Sequence, residues 1–142
     1  MTHHRSLDEL VEEQVHRWQL EQRRRAESAE KHPPKPMITV SRQHGSGGAE
    51  LAQHLAERLG YTFWHKEILH EIATSSSQSE RLVASFDERR RSVIAELVAN
   101  LVLANRAQSD YVRGLARVLH AIATHGGAVI VGRGAQYLLD SA

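Results

Sequence analysis

The chain has 142 residues, a charged fraction of 25% and a formal net charge of +1, so it is long enough to bury one core and shows no global electrostatic preference for nucleic acid or a membrane surface. With no cysteine it cannot form disulfides or thiolate metal sites, and a reducing compartment fits. The N-terminus lacks the apolar region of a secretory signal and no apolar run reaches membrane-spanning length, so the expected location is the cytoplasm.

Taken in order, residues 6 to about 29 read as one helix. Ser6 and Glu9 form a capping box, and Leu7, Leu10, Val11, Val15 and Trp18 make an apolar stripe at helical spacing. Arg23, Arg24 and Arg25 fall near the C-terminal end, where the helix dipole favours cations, and read as a solvated helix end. The stripe needs cover, either from the following domain or from another copy of the chain, which would make the helix an oligomerisation element. Lys31-His32-Pro33-Pro34-Lys35-Pro36 interrupts the helix because proline removes a donor and restricts its predecessor. The expected organisation is a helical extension over residues 1–30, a linker over 31–36 and a domain from 37 to 142.

The domain opens on a short β-branched run, Ile38 to Val40, followed by Ser41-Arg42-Gln43-His44-Gly45-Ser46-Gly47-Gly48 and a helix with Leu51, Leu55 and Leu59 on one face. Strand, glycine loop and helix predict an anion site, since glycines let the backbone approach closely and the helix start offers free N–H groups. The loop departs from GxxxxGK followed by Ser or Thr: Gly48, Ala49 and Arg42 occupy the lysine, hydroxyl and first-glycine positions. Arg42, Ser41 and Ser46 are the nearby substitutes.

Gly60 reads as a helix cap, Tyr61 to Trp64 as a second strand, and His65-Lys66-Glu67-Ile68-Leu69 as the start of a helix running to about Ala73. A loop follows with a cap signal from Ser77 to Glu80, then a short helix from Glu80 to Phe86, and Asp87 is placed to cap a helix from Glu88 to about Ala104. Apolar positions 94, 97, 98, 101 and 102 define its inner face. Another helix spans about Ser109 to His125 and stops at Gly126-Gly127. Ala128 to Val131 is continuously apolar, as in a strand buried on both faces of a parallel sheet, and leads into Gly132-Arg133-Gly134 and the start of a helix from Ala135 to Leu139. The ten histidines are scattered without metal-ligand spacing, and most are expected to face solvent.

Strands alternating with helices predict an α/β domain with a parallel sheet, whose ligands bind beyond the carboxyl ends of the strands. The loops after all three strands therefore converge on one edge. On these residues together, Ile38 to Gln43, the Gly45 to Gly48 loop, Phe63 to Leu69, Asp87 to Arg91 and Val129 to Ala135, the chain resembles the cytidylate kinase-like family. The leading helix also looks like the extension that often precedes such domains.

The resemblance implies a three-layer domain of the P-loop nucleoside triphosphate hydrolase type and transfer of the γ-phosphoryl of ATP, with magnesium, to CMP or a related nucleotide. By position it implies that Ser41, Arg42, Gly45, Ser46, Gly47 and Gly48 hold the donor phosphates. It assigns His65, Lys66, Asp87, Arg89, Arg90, Gly132 and Arg133 to the acceptor. The resemblance makes Arg42 and Arg133 the candidate catalytic cations, since planar guanidinium groups match phosphate oxygens bidentately. Magnesium ligands are unassigned. His65 stands where the family commonly has aspartate, and the chain ends before the family's lid and remaining strands. The expected domain is thus C-terminally incomplete, with the strand at Ala128 to Val131 facing an uncovered neighbour and weak catalysis by this chain alone. The alternatives are a nucleotide-binding or regulatory protein that keeps the fold without transfer, and a helix-mediated interaction module.

Overall fold

A computed structural model describes residues 6–28, 35–41, 47–132 and 138–139. Arg42, Gly45, Ser46 and Arg133, four of the expected site residues, lie outside the described residues, as does the start of the helix expected at Ala135.

Helix α1, Leu7–Glu27, begins at the expected capping box: Ser6 Oγ accepts from the Glu9 N–H and Glu9 Oε2 from the Ser6 N–H, both at 3.2 Å. Its stripe is covered by the chain's own domain. Val11 and Trp18 are buried, and the Trp18 ring lies 5.4 Å from Phe86 and 6.1 Å from Trp64, so α1 shares the main core with the helices that follow. Two buried indole faces among apolar neighbours stabilise this docking by burial and by tilted ring contact.

Strand β1, Met37–Val40, precedes α2, Gly48–Leu59, and β2, Thr62–Trp64. The leucine face expected inside α2 is mostly outside: Leu51 is 67% exposed and Leu59 42%, while Ala52 and Ala56 are buried against β3. Methyl-sized side chains let the helix axis approach the sheet, and that closeness outweighs burial of the longer leucines. Gly60, at φ +69°, closes α2 as expected.

Helix α3, Lys66–Thr74, runs almost directly into α4, Ser76–Ala84. Ser75, not Ser77, caps α4 by accepting from the Gln78 N–H at 3.4 Å, so the helix starts four residues earlier than Glu80. In a run of serines the cap goes to whichever one the end of α3 leaves extended. Helix α5, Glu88–Leu103, has the expected inner face, with Ile94, Val98 and Leu101 buried. A short turn through Asn105, at φ 58°, reverses the chain into α6, Asp110–His125, so the two helices form an antiparallel hairpin.

Strand β3, Ala128–Val131, is buried throughout and is the central strand, in the order β1-β3-β2 with both pairings parallel. Both sides of β3 are paired, and among the described residues the outer sides of its neighbours β1 and β2 are not. Val129 and Val131 face α2, whereas Ala128 and Ile130 face the larger cluster with α1 and α4 to α6. Helices cover both faces of a small parallel sheet, an α/β arrangement compatible with a P-loop-like fold.

Candidate functional site

Because the sheet is wholly parallel, its strands end together at Val40–Ser41, Trp64–His65 and Val131–Gly132, with Val40 opposite Val131 and Trp64 opposite Ile130. The Gly132 N–H donates to the Val40 carbonyl at 3.3 Å, which holds the exit of β3 beside exposed Ser41 at the exit of β1. Gly47, at φ +80°, is the N-cap of α2 and supplies no side-chain cap. A Cβ there would meet no atom within 4 Å among the described residues, so the left-handed backbone and not crowding calls for glycine. With no side chain on its cap residue, the start of α2 has the form in which first-turn amides bind an anion.

At the same edge a cavity of about 410 Å³ opens between α3 and α6. Leu69, Leu115, Leu119 and Ile130 give it apolar walls, and Lys66, Glu67, His70, Tyr111 and the Gly132 backbone supply the polar groups. An apolar cleft with a few convergent polar groups, at the carboxyl edge of a parallel sheet, is the form a small-molecule site takes. Helix α3 starts at His65 without a side-chain cap, so its first-turn N–H groups and Lys66 form a second place for an anion. The cavity is bridged by His70 Nδ1 and Tyr111 Oη, 2.9 Å apart. His70 was not among the expected site residues, although it stands one helical turn from Lys66 and therefore on the same face. Tyr111 carried no local signal, because only the reversal at Asn105 brings the first turn of α6 against α3.

The other expected residues divide. Lys66 and Gly132 line the cavity. His65 is exposed at the exit of β2, its ring edge-on to Phe63 at 4.7 Å, and it faces the α1 side of the sheet. Asp87 caps α5, its Oδ1 accepting from the Arg90 N–H at 2.9 Å. The start of α5 lies against the end of α6, where the charge of Arg90 acts on His125. That end of α6 leads directly into the start of β3, whereas the cavity reaches Gly132 at the carboxyl end of β3. The structure therefore does not bring Asp87, Arg89 and Arg90 to the edge that holds Lys66 and Gly132. The antiparallel hairpin sends them to the opposite end of the sheet.

Two of the ten histidines, most of them expected to face solvent, are buried. His120 is buried in α6, with Nε2 2.9 Å from the Leu138 carbonyl, and burial pushes its pKa down against the raising effect of that bond. His125 is buried at the end of α6, stacked on Trp18 at 4.9 Å, with Nε2 2.9 Å from Glu21 Oε2. Burial again dominates and lowers its pKa, with Arg25 and Arg90 acting in the same direction and Glu21 opposing.

Among the described residues no group of three histidine, aspartate or glutamate side chains could hold a metal ion, and no helix is long and apolar enough to cross a membrane. Residues 37–142 match the model of the cytidylate kinase-like family. No curated protein and no solved structure matches the chain.

Proposed function

The chain belongs to the cytidylate kinase-like family, and from that premise we propose that it transfers the terminal phosphoryl group of ATP to a nucleoside monophosphate of the CMP type. The observation that carries the reading is the cavity between α3 and α6, with a lysine and an uncapped helix start at one end, inside the matched segment. Lys66 and the first amides of α3 would take the acceptor phosphate, and the apolar walls its base. Gly47, Gly48 and the start of α2 would take the donor phosphates together with Ser41, Gly45 and Ser46. An oxygen of the acceptor phosphate attacks the γ-phosphorus while the bond from that phosphorus to the β–γ bridging oxygen breaks. The products are the two nucleoside diphosphates.

Catalysis here consists of positioning and of cations around the transferred group. Arg42 and Arg133 are the proposed cations, the second following Gly132 at the cavity. Magnesium would neutralise the donor's phosphate charge as the ion travelling with ATP, and no protein ligand is assigned to it. A nucleotide substrate is consistent with a cytoplasmic protein.

Calorimetry with ATP and with CMP, paired with a coupled assay of ADP release, tests the reading. Turnover above the uncatalysed rate is the expected result. Binding without turnover would replace it with a nucleotide-binding role, and absence of both would remove the nucleotide altogether.

A further inference from the structure

A second cavity, of about 230 Å³, lies at the opposite end of the sheet, between α1 and the turns that lead into β2 and β3. Arg17, Arg24 and Arg25 enter it from α1 and Lys35 from the segment before β1, with Glu21 as the one carboxylate among its charged lining residues. The whole chain carries a net charge of only +1, so cations are concentrated here well beyond the chain's average.

These cations are not equally engaged. Arg17 bonds Glu13 at 2.7 Å, and Arg25 donates to the His125 carbonyl at 3.3 Å and lies 3.6 Å from Glu21. Arg24 and Lys35 have no carboxylate partner among the described residues, and Lys35 has only the Tyr61 ring, 5.9 Å from its Nζ. The ring of His125 lines the same cavity, and its Nδ1 is buried with no hydrogen-bond partner among the described residues. Nearby backbone donors are used: the Gly126 N–H goes to Ile122 and the Gly127 N–H to Lys35. Among the described residues, what remains for a ligand is positive charge without a carboxylate partner on two separate pieces of chain.

We propose that this cavity is a second binding site, for a small multiply charged phosphate compound, which bridges Arg24 on α1 to Lys35 on the segment entering β1. Two or more anionic groups are needed to engage both cations at once, and charge-assisted bonds to phosphate suit arginine and lysine alike. Bound there, the anion clamps α1 onto the sheet without entering the α3–α6 cavity. The site is independent of the reading given above for that cavity.

Trp18 lines the site and reports on it. Trp64→Phe leaves Trp18 as the sole indole. In that background, titration with sodium tripolyphosphate is expected to give a saturable fluorescence change that sodium chloride of equal ionic strength does not. Adding Arg24→Glu and Lys35→Glu, both at exposed positions, should weaken the apparent affinity roughly tenfold or more. An undiminished response in that variant, which leaves the Gly47 loop intact, would place the anion elsewhere and overturn the proposal. So would an equal response to sodium chloride. Thermal melting with the same additives is the second measurement: tripolyphosphate should raise the midpoint of the parent by more than that of the charge-reversed protein, in which the Gly47 loop alone remains for it, and equal rises would overturn the proposal. Neither assay contains a nucleotide, so failure of phosphoryl transfer and failure of this site are read separately.

Discussion

Replacing Gly114 by alanine tests the contact that sets the width of the candidate site. Gly114 is buried in α6, and a Cβ there would lie 2.3 Å from the carbonyl oxygen and 3.2 Å from the carbonyl carbon of Ala73 in α3. Carbon and oxygen in weak contact stay about 3.3 Å or more apart, so α3 and α6 must separate by roughly 1 Å. Two effects oppose. Alanine is favoured over glycine inside a helix by about 1 kcal/mol, whereas forcing extra volume into a packed core costs about 1–3 kcal/mol. The obstacle is a main-chain carbonyl without a rotamer to yield, so the upper part of that range applies and the net loss is about 1–2 kcal/mol. At roughly 4 °C per kcal/mol for a chain of this size, the melting midpoint should fall by about 4–8 °C. Urea denaturation should show a lower midpoint at unchanged slope. The same displacement stretches the 2.9 Å contact between His70 on α3 and Tyr111 on α6, so nucleotide affinity should fall with stability. A variant as stable as the parent, with an unmoved urea midpoint, would refute the close approach of the two helices.

Three further outcomes follow from the packing. Trp18→Ala removes the side chain that joins α1 to Trp64, Phe86 and His125, and should cost about 3–5 kcal/mol in urea denaturation; a loss below 1 kcal/mol would mean that α1 is not docked. His125 has a folded-state pKa below its ordinary 6.5, so the unfolded chain takes up the proton first and stability rises with pH. Its contribution is complete above about pH 6.5 and is lost as the pH falls from there through the folded-state value, at no more than about 1.4 kcal/mol per pH unit for one proton. Melting curves across pH 5–8 should slope less for His125→Gln than for the parent, and equal slopes would remove His125 from the titration. Asp87→Ala should cost about 1 kcal/mol through loss of the α5 cap, with Asp87→Ser restoring most of it. The nucleotide KM should not change, and a raised KM would return Asp87 to the site.

What the sequence made legible was local. The capping box at Ser6 and Glu9, the Gly60 cap and the buried run at Ala128 to Val131 each depend on a few neighbouring residues, and each formed as read. The convergence of three strand ends followed from the sheet being parallel. What was not legible depended on distant partners. The burial of His125 needs Trp18 from the far end of the chain, and the Tyr111 contact needs the α5–α6 reversal. Leu51 and Leu59 misled because hydrophobic spacing identifies an apolar stripe, whereas the sheet selected the adjoining alanine stripe for its smaller size. Asp87, Arg89 and Arg90 were grouped with Lys66 by order in the chain, which does not say that a helical hairpin carries them to the other end of the sheet.

The central position of β3 has a consequence for how the protein is made. Met37 pairs with Ala128 and Thr62 with the same residue, so every rung of the sheet waits for a strand synthesised roughly ninety residues after β1. Closing loops that long delays the reward of pairing, and synthesis proceeds N-terminus first. On the ribosome β1 and β2 emerge without a mate, while α3 to α6 can already pack on one another. A nascent chain arrested before Ala128 would carry helices and two unpaired strands, and a pause just downstream of Val131 would be the first at which the carboxyl edge of the sheet could close.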